Sequence, residues 1–270
     1  MLHIYIVSLK QDIEKREVIS KTLKSFGLEF SFLDAIYGKS LPDSSLSSFR
    51  NKSKGKIADR DFSATPGEIG CTLSHLKAYQ NMIDNNLNWA CILEDDVILD
   101  ERFKVFIESF QDVGLNKKAL HMLGGQNGFP DFQVIKSKKN NIMIGKQKFY
   151  KTIKSEQFIY RTCCYLISSK TADKILKLSE DIFILADDWD YLVKNRVIHE
   201  IYLANFVDHP TDLSSSHIQE EREVAQKNYI SSCKKRKIPI LSRVEMSIKW
   251  RFRLLFLNCY KHVEVKDKLL

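Results

Sequence analysis

No apolar run in this chain approaches the roughly 18 to 20 residues that a helix needs to span a bilayer. The opening Met1-Leu2-His3-Ile4-Tyr5-Ile6-Val7 has no positive n-region, no long apolar stretch and no small-residue cleavage site, so it does not read as a secretory signal. The six cysteines, Cys71, Cys91, Cys163, Cys164, Cys233 and Cys259, show no Cys-x-x-Cys spacing. They lie mostly in apolar contexts and include an adjacent pair that cannot readily bridge to itself, so they read as reduced core thiols, not as a disulfide frame or a zinc site. A recognisable nucleic-acid-binding module is also missing. These absences together predict a cytoplasmic protein.

What is present is enough apolar material for a core: 44% hydrophobic residues in a chain of 270. The net charge of +8 is unevenly placed. Residues 231–270 hold eleven Lys and Arg against three acids, so residues 1–230 carry 31 charges of each sign. A neutral body with a basic end suggests a docking appendage on a separate machine and weakens a nucleic-acid reading. The expected division is an α/β domain over 1–230 and a tail over 231–270.

The stretch around which the chain is organised is Trp89-Ala90-Cys91-Ile92-Leu93-Glu94-Asp95-Asp96-Val97. A short apolar run of this kind predicts a strand buried on both faces, with three carboxylates where it ends. In an open α/β sheet, ligands bind beyond the carboxyl ends of the strands. Acids this close repel one another unless a cation joins them, which points to a divalent metal; a solvated turn carrying the next N-cap is the plainer use.

Around it, His3 to Leu9, Gln11 to Phe26 and Leu28 to Leu33 read as strand, helix and strand. Tyr37 to Ser63 is polar and reads as a long loop of the kind that serves as a lid. Thr65-Pro66-Gly67-Glu68 opens a helix with capping-box spacing, and Gly70 inside that helix suggests close approach of another backbone or of a ligand. Ser74 and His75 are placed on its polar side. Hairpin strands are expected within 128–156, a strand over Phe158 to Ser168, a helix over Lys170 to Leu178 and a last strand over Ile198 to Phe206. Two further signals carry chemistry. Asp187-Asp188-Trp189 offers a carboxylate as general base and an indole to stack on a sugar, or simply a helix cap. His209, at a strand end near both acidic clusters, is a metal-ligand candidate.

These pieces resemble glycosyltransferase family 25, the group that contains bacterial lipooligosaccharide β-galactosyltransferases and collagen galactosyltransferase domains. The matching segments are Ile4-Tyr5-Ile6-Val7-Ser8-Leu9 with Arg16, Gly67-Glu68-Ile69-Gly70-Cys71-Thr72-Leu73-Ser74-His75, Ile92-Leu93-Glu94-Asp95-Asp96-Val97, Tyr165-Leu166-Ile167-Ser168, Asp187-Asp188-Trp189 and the Pro210 to Ile218 loop. That loop departs from the common pattern, with Ser216-His217-Ile218 where Ser-Asp-Ile is usual. The resemblance implies a GT-A type fold with a mainly parallel central sheet, a UDP-galactose donor, Mn2+ or Mg2+, and inversion at the anomeric carbon. It implies that Asp96, assisted by Glu94 or Asp95, holds the cation, with His209 completing its sphere. It further implies that Ser8, Leu9 and Arg16 grip the uridine end, that Glu68, Ser74, His75 and Asp95 line the donor, and that Asp188 or Asp187 is the base. The acceptor is then a lipid-linked saccharide of lipooligosaccharide or lipopolysaccharide. The Trp- and Phe-bearing basic stretch Val244 to Tyr260 is expected to lie as a helix on the anionic inner face of the cytoplasmic membrane. The competing reading of the same acidic crevice is a metal-dependent nucleotide-sugar hydrolase or binding protein.

Overall fold

A computed structural model describes residues 2–127, 134–212, 217–232 and 259–262. The strands are β1 (His3–Ser8), β2 (Ser31–Asp34), β3 (Trp89–Glu94), β4 (Ala119–Gly124), β5 (Val134–Ile144), β6 (Gln147–Thr152), β7 (Cys164–Ser168), β8 (Glu200–Val207) and β9 (Cys259–His262). The helices are α1 (Ile13–Ser25), α2 (Asp43–Asn51), α3 (Pro66–Asp84), α4 (Glu101–Glu108), α5 (Ser169–Asp181), α6 (Trp189–Lys194) and α7 (His217–Ser232). The nine strands among the described residues form one sheet in the order β2-β1-β3-β7-β4-β8-β6-β5-β9. β1 is parallel to β2 and β3, β4 is parallel to β8, and β7 runs antiparallel between β3 and β4. Six strands therefore share one direction, and β7, β6 and β9 oppose it.

The alternation of side chains along the strands sorts the core into two layers. In β1 and β3, Ile4, Ile6, Cys91 and Leu93 pack with Ile19 and Leu23 of α1 and Phe103 and Phe106 of α4. Tyr5, Val7, Ala90 and Ile92 face the other way, against Ala78, Tyr79 and Met82 of α3, Ala172 and Ile175 of α5, and Trp189 of α6. Glu94, the last residue of β3, follows Ala90 and Ile92 on the period of two and so emerges on the α3 side.

α3 begins as its sequence predicts. Thr65 Oγ1 accepts from the Glu68 amide, the Glu68 carboxylate accepts from the Thr65 amide, and Pro66 occupies the first turn. Gly70 marks a backbone approach: a Cβ there would lie 2.5 Å from the Ile36 carbonyl oxygen and 2.7 Å from the Gly38 nitrogen.

Four expectations need correction. Residues 37–63 are not an irregular lid: they contain α2 and two short 3-10 turns, and Leu46 and Ile57 pack with Ala64, Ile69, Phe183 and Leu185. The scattered apolar residues of that polar stretch are its anchors. The strand expected over Phe158 to Ser168 covers only its second half, because Arg161 takes a left-handed backbone (φ +66°) and breaks the extended run. Ser74 and His75 are buried, at 2% and 1% exposure, because α3 is covered on that side too. Cys259 and Tyr260, placed at the end of the tail helix, belong instead to β9, which pairs antiparallel with β5 at the sheet edge. The rest of that stretch, up to residue 258, lies outside the described residues.

Replacing Gly70 by Ala should lower stability although alanine is the better helix former by about 1 kcal/mol. Overpacking against backbone should cost about 1–3 kcal/mol. Thermal melts followed by circular dichroism should show a lower Tm; a raised Tm would refute the close approach.

Candidate active site

The crowding of Glu94, Asp95 and Asp96 is relieved by sending each carboxylate to different partners. Glu94 turns to the α3 side, where the Thr162 hydroxyl donates to Oε1 and His75 Nε2 stands 3.5 Å from the same oxygen. Burial acts to raise its pKa, and His75 and Thr162 outweigh that effect and hold it well below the usual carboxylate range. Asp95 turns toward the Ser8 hydroxyl, with Lys15 Nζ at 4.0 Å, and burial together with its acidic neighbours raises it to about 6. Asp96 faces His209: Nε2 and Oδ1 are 3.5 Å apart, and that oxygen is buried with no hydrogen-bond partner among the described residues. Burial and then Glu94 push Asp96 upward.

His209 is supported from behind. Its Nδ1 lies 2.7 Å from the Pro210 carbonyl oxygen, a contact in which the ring must donate, so Nε2 is the nitrogen left to ligate a cation when the ring is neutral. Ligand atoms of Glu94, Asp96 and His209 all lie within 4.8 Å of one another. An orphaned buried oxygen, a second carboxylate and a pre-oriented imidazole fit a divalent cation. Of the two carboxylates that the resemblance left open beside Asp96 and His209, Glu94 and not Asp95 belongs to this group.

The cluster sits where two cavities meet. One, of about 180 Å³, is lined by Thr162, Arg161, Asp187, Tyr160, Gln219 and Arg222 among others. The other, of about 160 Å³, is lined by Ser8, Leu9, Asp12, Lys15, Tyr37 and Gly67, with Ser74, His75 and Asp95 also on its wall. Cys71, Glu94, Asp96 and Ile218 line both. Together they reach the lower end of the roughly 300–1,000 Å³ usual for small-molecule sites.

Several expected site residues turn out to be structural. Arg16 lines neither cavity: Nε donates to Ser8 Oγ at 3.1 Å, and Nη2 donates to the Ser8 carbonyl at 2.7 Å and to Asp34 Oδ1 at 2.6 Å, tying the ends of β1 and β2. Ser74 Oγ donates to the Gly70 carbonyl at 2.6 Å and accepts from the Ile36 amide at 2.8 Å. Glu68 reaches the first cavity, but its oxygens receive both Arg60 guanidinium nitrogens at 2.7 Å, Arg222 Nε at 2.6 Å and the Thr65 amide at 2.9 Å. Burial opposes its charge; Arg60, Arg222 and Thr65 outweigh burial and bring it to about 2.

Asp188, expected as the base, is the N-cap of α6. It is 1% exposed, with Oδ1 accepting from the Tyr191 amide at 3.2 Å and Oδ2 from the Lys56 amide at 2.6 Å. Gly55 (φ +67°) lets the loop come this close, since a Cβ there would meet Oδ2 at 2.1 Å. Asp187, the cap in the plainer reading, instead lines the cavity and takes the Arg161 amide on Oδ2 at 3.1 Å. Trp189 does not offer a face to sugar: it is fully buried, packs against Tyr165 and donates to the Arg161 carbonyl at 3.1 Å.

Residues that sequence reasoning passed over complete the walls. Arg161 holds its strained backbone between Asp187 and Trp189 and donates to the Gly125 and Asn127 carbonyls. On α7, Glu221 accepts from the Gly67 amide at 2.7 Å and lies 3.4 Å from Lys39 Nζ. Nothing in the polar pattern of 217–232 marks Glu221 or Arg222; the three-residue spacing of the capping box was the only local hint that Glu68 was taken.

An acidic cleft past the carboxyl ends of β1 and β3 in a mixed α/β sheet is the arrangement of a GT-A type fold. More narrowly, the chain belongs to glycosyltransferase family 25, described as LPS biosynthesis proteins, whose profile matches residues 1–190. It is 25% identical over 263 residues to a Haemophilus influenzae protein provisionally named as a glycosyltransferase, covering 90% of this chain and 82% of that one. It is 26% identical over 186 residues to procollagen galactosyltransferase 1-B of Xenopus laevis, covering 64% of this chain but only 28% of that much longer protein. Among solved structures, a glycosyltransferase involved in glycosylation of the major capsid of PBCV-1 aligns with a TM-score of 0.39 and 11% identity, covering 84% of this chain and all of that one. Membership makes the chain a glycosyltransferase, which implies a nucleotide-sugar donor and a saccharide acceptor. No helix among the described residues is long and apolar enough to cross a membrane.

Because Glu68 is depressed to about 2, its stabilising contribution is fully present above its unfolded value near 4.5 and is lost as pH falls toward 2. Glu68→Gln should cost about 3 kcal/mol at pH 7, and the gap from wild type should shrink below pH 4.5. Urea titrations across this range measure it; a gap independent of pH would refute the clamp.

Proposed function

We propose that the chain transfers galactose from UDP-galactose, with inversion, to a saccharide acceptor of lipooligosaccharide or lipopolysaccharide, using a divalent cation held by Glu94, Asp96 and His209. The observation that carries this reading is the convergence of those three side chains where the two cavities join. Two carboxylates with an imidazole suit Mn2+ better than Mg2+, which prefers oxygen ligands. When bound, the cation supplies Lewis-acid stabilisation of the charge that develops on the leaving diphosphate.

The chain's own residues do the rest. The Ser8–Leu9 turn, Asp12, Lys15 and Tyr37 would enclose the nucleoside end in the cavity that opens past β1. The acceptor would enter the cavity lined by Arg161, Tyr160 and Gln219. An inverting displacement needs one carboxylate to receive the acceptor's hydroxyl proton. Asp188 has both oxygens occupied by backbone amides, so the role passes to Asp187. Among the described residues no donor reaches Asp187 Oδ1, and its other oxygen is fixed by the Arg161 amide. The basic tail remains the segment proposed to meet an anionic membrane carrying a lipid-linked acceptor. That proposal rests on its sequence, eleven cationic residues among Trp and Phe.

Asp96→Ala should abolish Mn2+-dependent UDP binding and transfer. Asp187→Asn should retain UDP affinity and lose about 10²–10⁴-fold in kcat. Asp188→Asn should mainly lower thermal stability. Incubating the protein with UDP-galactose and a panel of lipooligosaccharide core saccharides, with product analysis by mass spectrometry, tests the assignment. Free galactose released at the same rate with or without acceptor would favour the hydrolase reading and overturn this one.

A further inference from the structure

Behind Glu94 lies a row of polar groups that transfer chemistry does not call on. Tyr79, Tyr165 and His75 are at most 2% exposed. Tyr79 Oη and Tyr165 Oη are 2.8 Å apart, Tyr165 Oη is 2.7 Å from His75 Nδ1, and His75 Nε2 faces Glu94 Oε1 at 3.5 Å with no closer hydrogen-bond partner among the described residues. Elements far apart in sequence supply the row: Tyr79 and His75 sit one turn apart on α3, and Tyr165 rises from β7. It threads a layer otherwise made of Ala78, Met82, Ile92 and Trp189, where an unpaired hydrogen has no water to turn to.

Three hydrogens and three contacts leave one arrangement without a defect. Both phenols keep their protons, because burial pushes each well above the usual tyrosine range. If Tyr165 donated to Tyr79, the Tyr79 hydrogen would have no acceptor. If His75 carried its proton on Nδ1, its Nε2 lone pair would confront the lone pairs of a carboxylate. Every donor is satisfied only when Tyr79 donates to Tyr165, Tyr165 to His75 Nδ1, and His75 Nε2–H to Glu94.

We propose that Tyr79, Tyr165 and His75 form a one-way donor chain that makes His75 a positioning residue for Glu94. Its last hydrogen and the Thr162 hydroxyl converge on Oε1, so Oε2 is the oxygen presented to a cation. The His75–Glu94 distance is long for a hydrogen bond and shortens when Glu94 is drawn into place. This role rests on the reading of Glu94 as a metal ligand. It replaces the expectation that His75 touches the donor sugar.

The test is ring 15N NMR on the full-length, metal-free protein, with His75→Gln identifying the His75 signals. The expected spectrum has a single tautomer, protonated on Nε2 and bare on Nδ1; a ring protonated on Nδ1 or averaging between tautomers overturns the proposal. Tyr165→Phe should leave the fold intact by circular dichroism, release the tautomer and weaken Mn2+ binding about 10- to 100-fold by calorimetry. His75→Gln keeps an N–H donor near the position of Nε2 and should hold Mn2+ within a few-fold of wild type, whereas His75→Leu should show the full loss. Wild-type affinity in His75→Leu would overturn the positioning role. Should the wild-type chain bind no Mn2+, the metal reading and with it the positioning role fall, and the ring spectrum separately decides the donor chain.

Discussion

Mutual repulsion among three adjacent carboxylates is the constraint on which the rest of this site depends. A buried strand end cannot hold three ionised acids in one direction, and the turn that follows Glu94 at the end of β3 does not ask it to. Glu94 emerges on the α3 side toward His75 and Thr162, Asp95 meets Ser8 and Lys15, and Asp96 faces His209. Each acid is thereby given its own neighbours. Glu94, beside the Thr162 hydroxyl and the His75 ring, is the most firmly ionised, and Asp96 keeps an oxygen that no group among the described residues satisfies. A carboxylate held in place beside one left unsatisfied is what a cation site needs.

The cleft is closed by segments outside the acidic strand. The Tyr37–Ser63 stretch looks dispensable by composition, yet its Lys56 amide caps Asp188 and its Arg60 grips Glu68. α7 lies beyond the residues matched by the family profile and still contributes Ile218, Gln219 and Arg222 to the cavity walls. Its Arg222 shares the Glu68 carboxylate with Arg60, so the segment before α3, α3 itself and α7 are joined at one buried acid. Removing Glu68 leaves two guanidinium groups without their shared carboxylate, which explains why a residue of the most specific sequence motif serves architecture.

Much of this was legible from sequence. The buried strand and its acidic end, the capping box of α3 and a close approach at Gly70 follow from local pattern, and Glu94, Asp96 and His209 were among the candidates that the resemblance named. Three misreadings share one cause. Asp188, Glu68 and Arg16 are polar residues in motif-bearing segments, and polarity there was taken as availability to substrate. In the structure the partners of Asp188 include an amide 132 residues away, and Glu68 meets Arg222 across 154 residues. Trp189 failed for the converse reason, since an indole in an acidic cluster gives no sign of which way it points.

Sequence alone determined the strands β1, β2, β3 and β8, where the acids collect and which helix is capped, because those features are set by periodicities of two to four residues and by side chains next to their own backbone. The tertiary structure decided which acids retain unshared lone pairs, which wall Asp187 faces and that α7 completes the cleft. A hydrogen bond is settled within about 3 Å, and groups that meet at that distance here are separated along the chain by stretches over which no local pattern carries information.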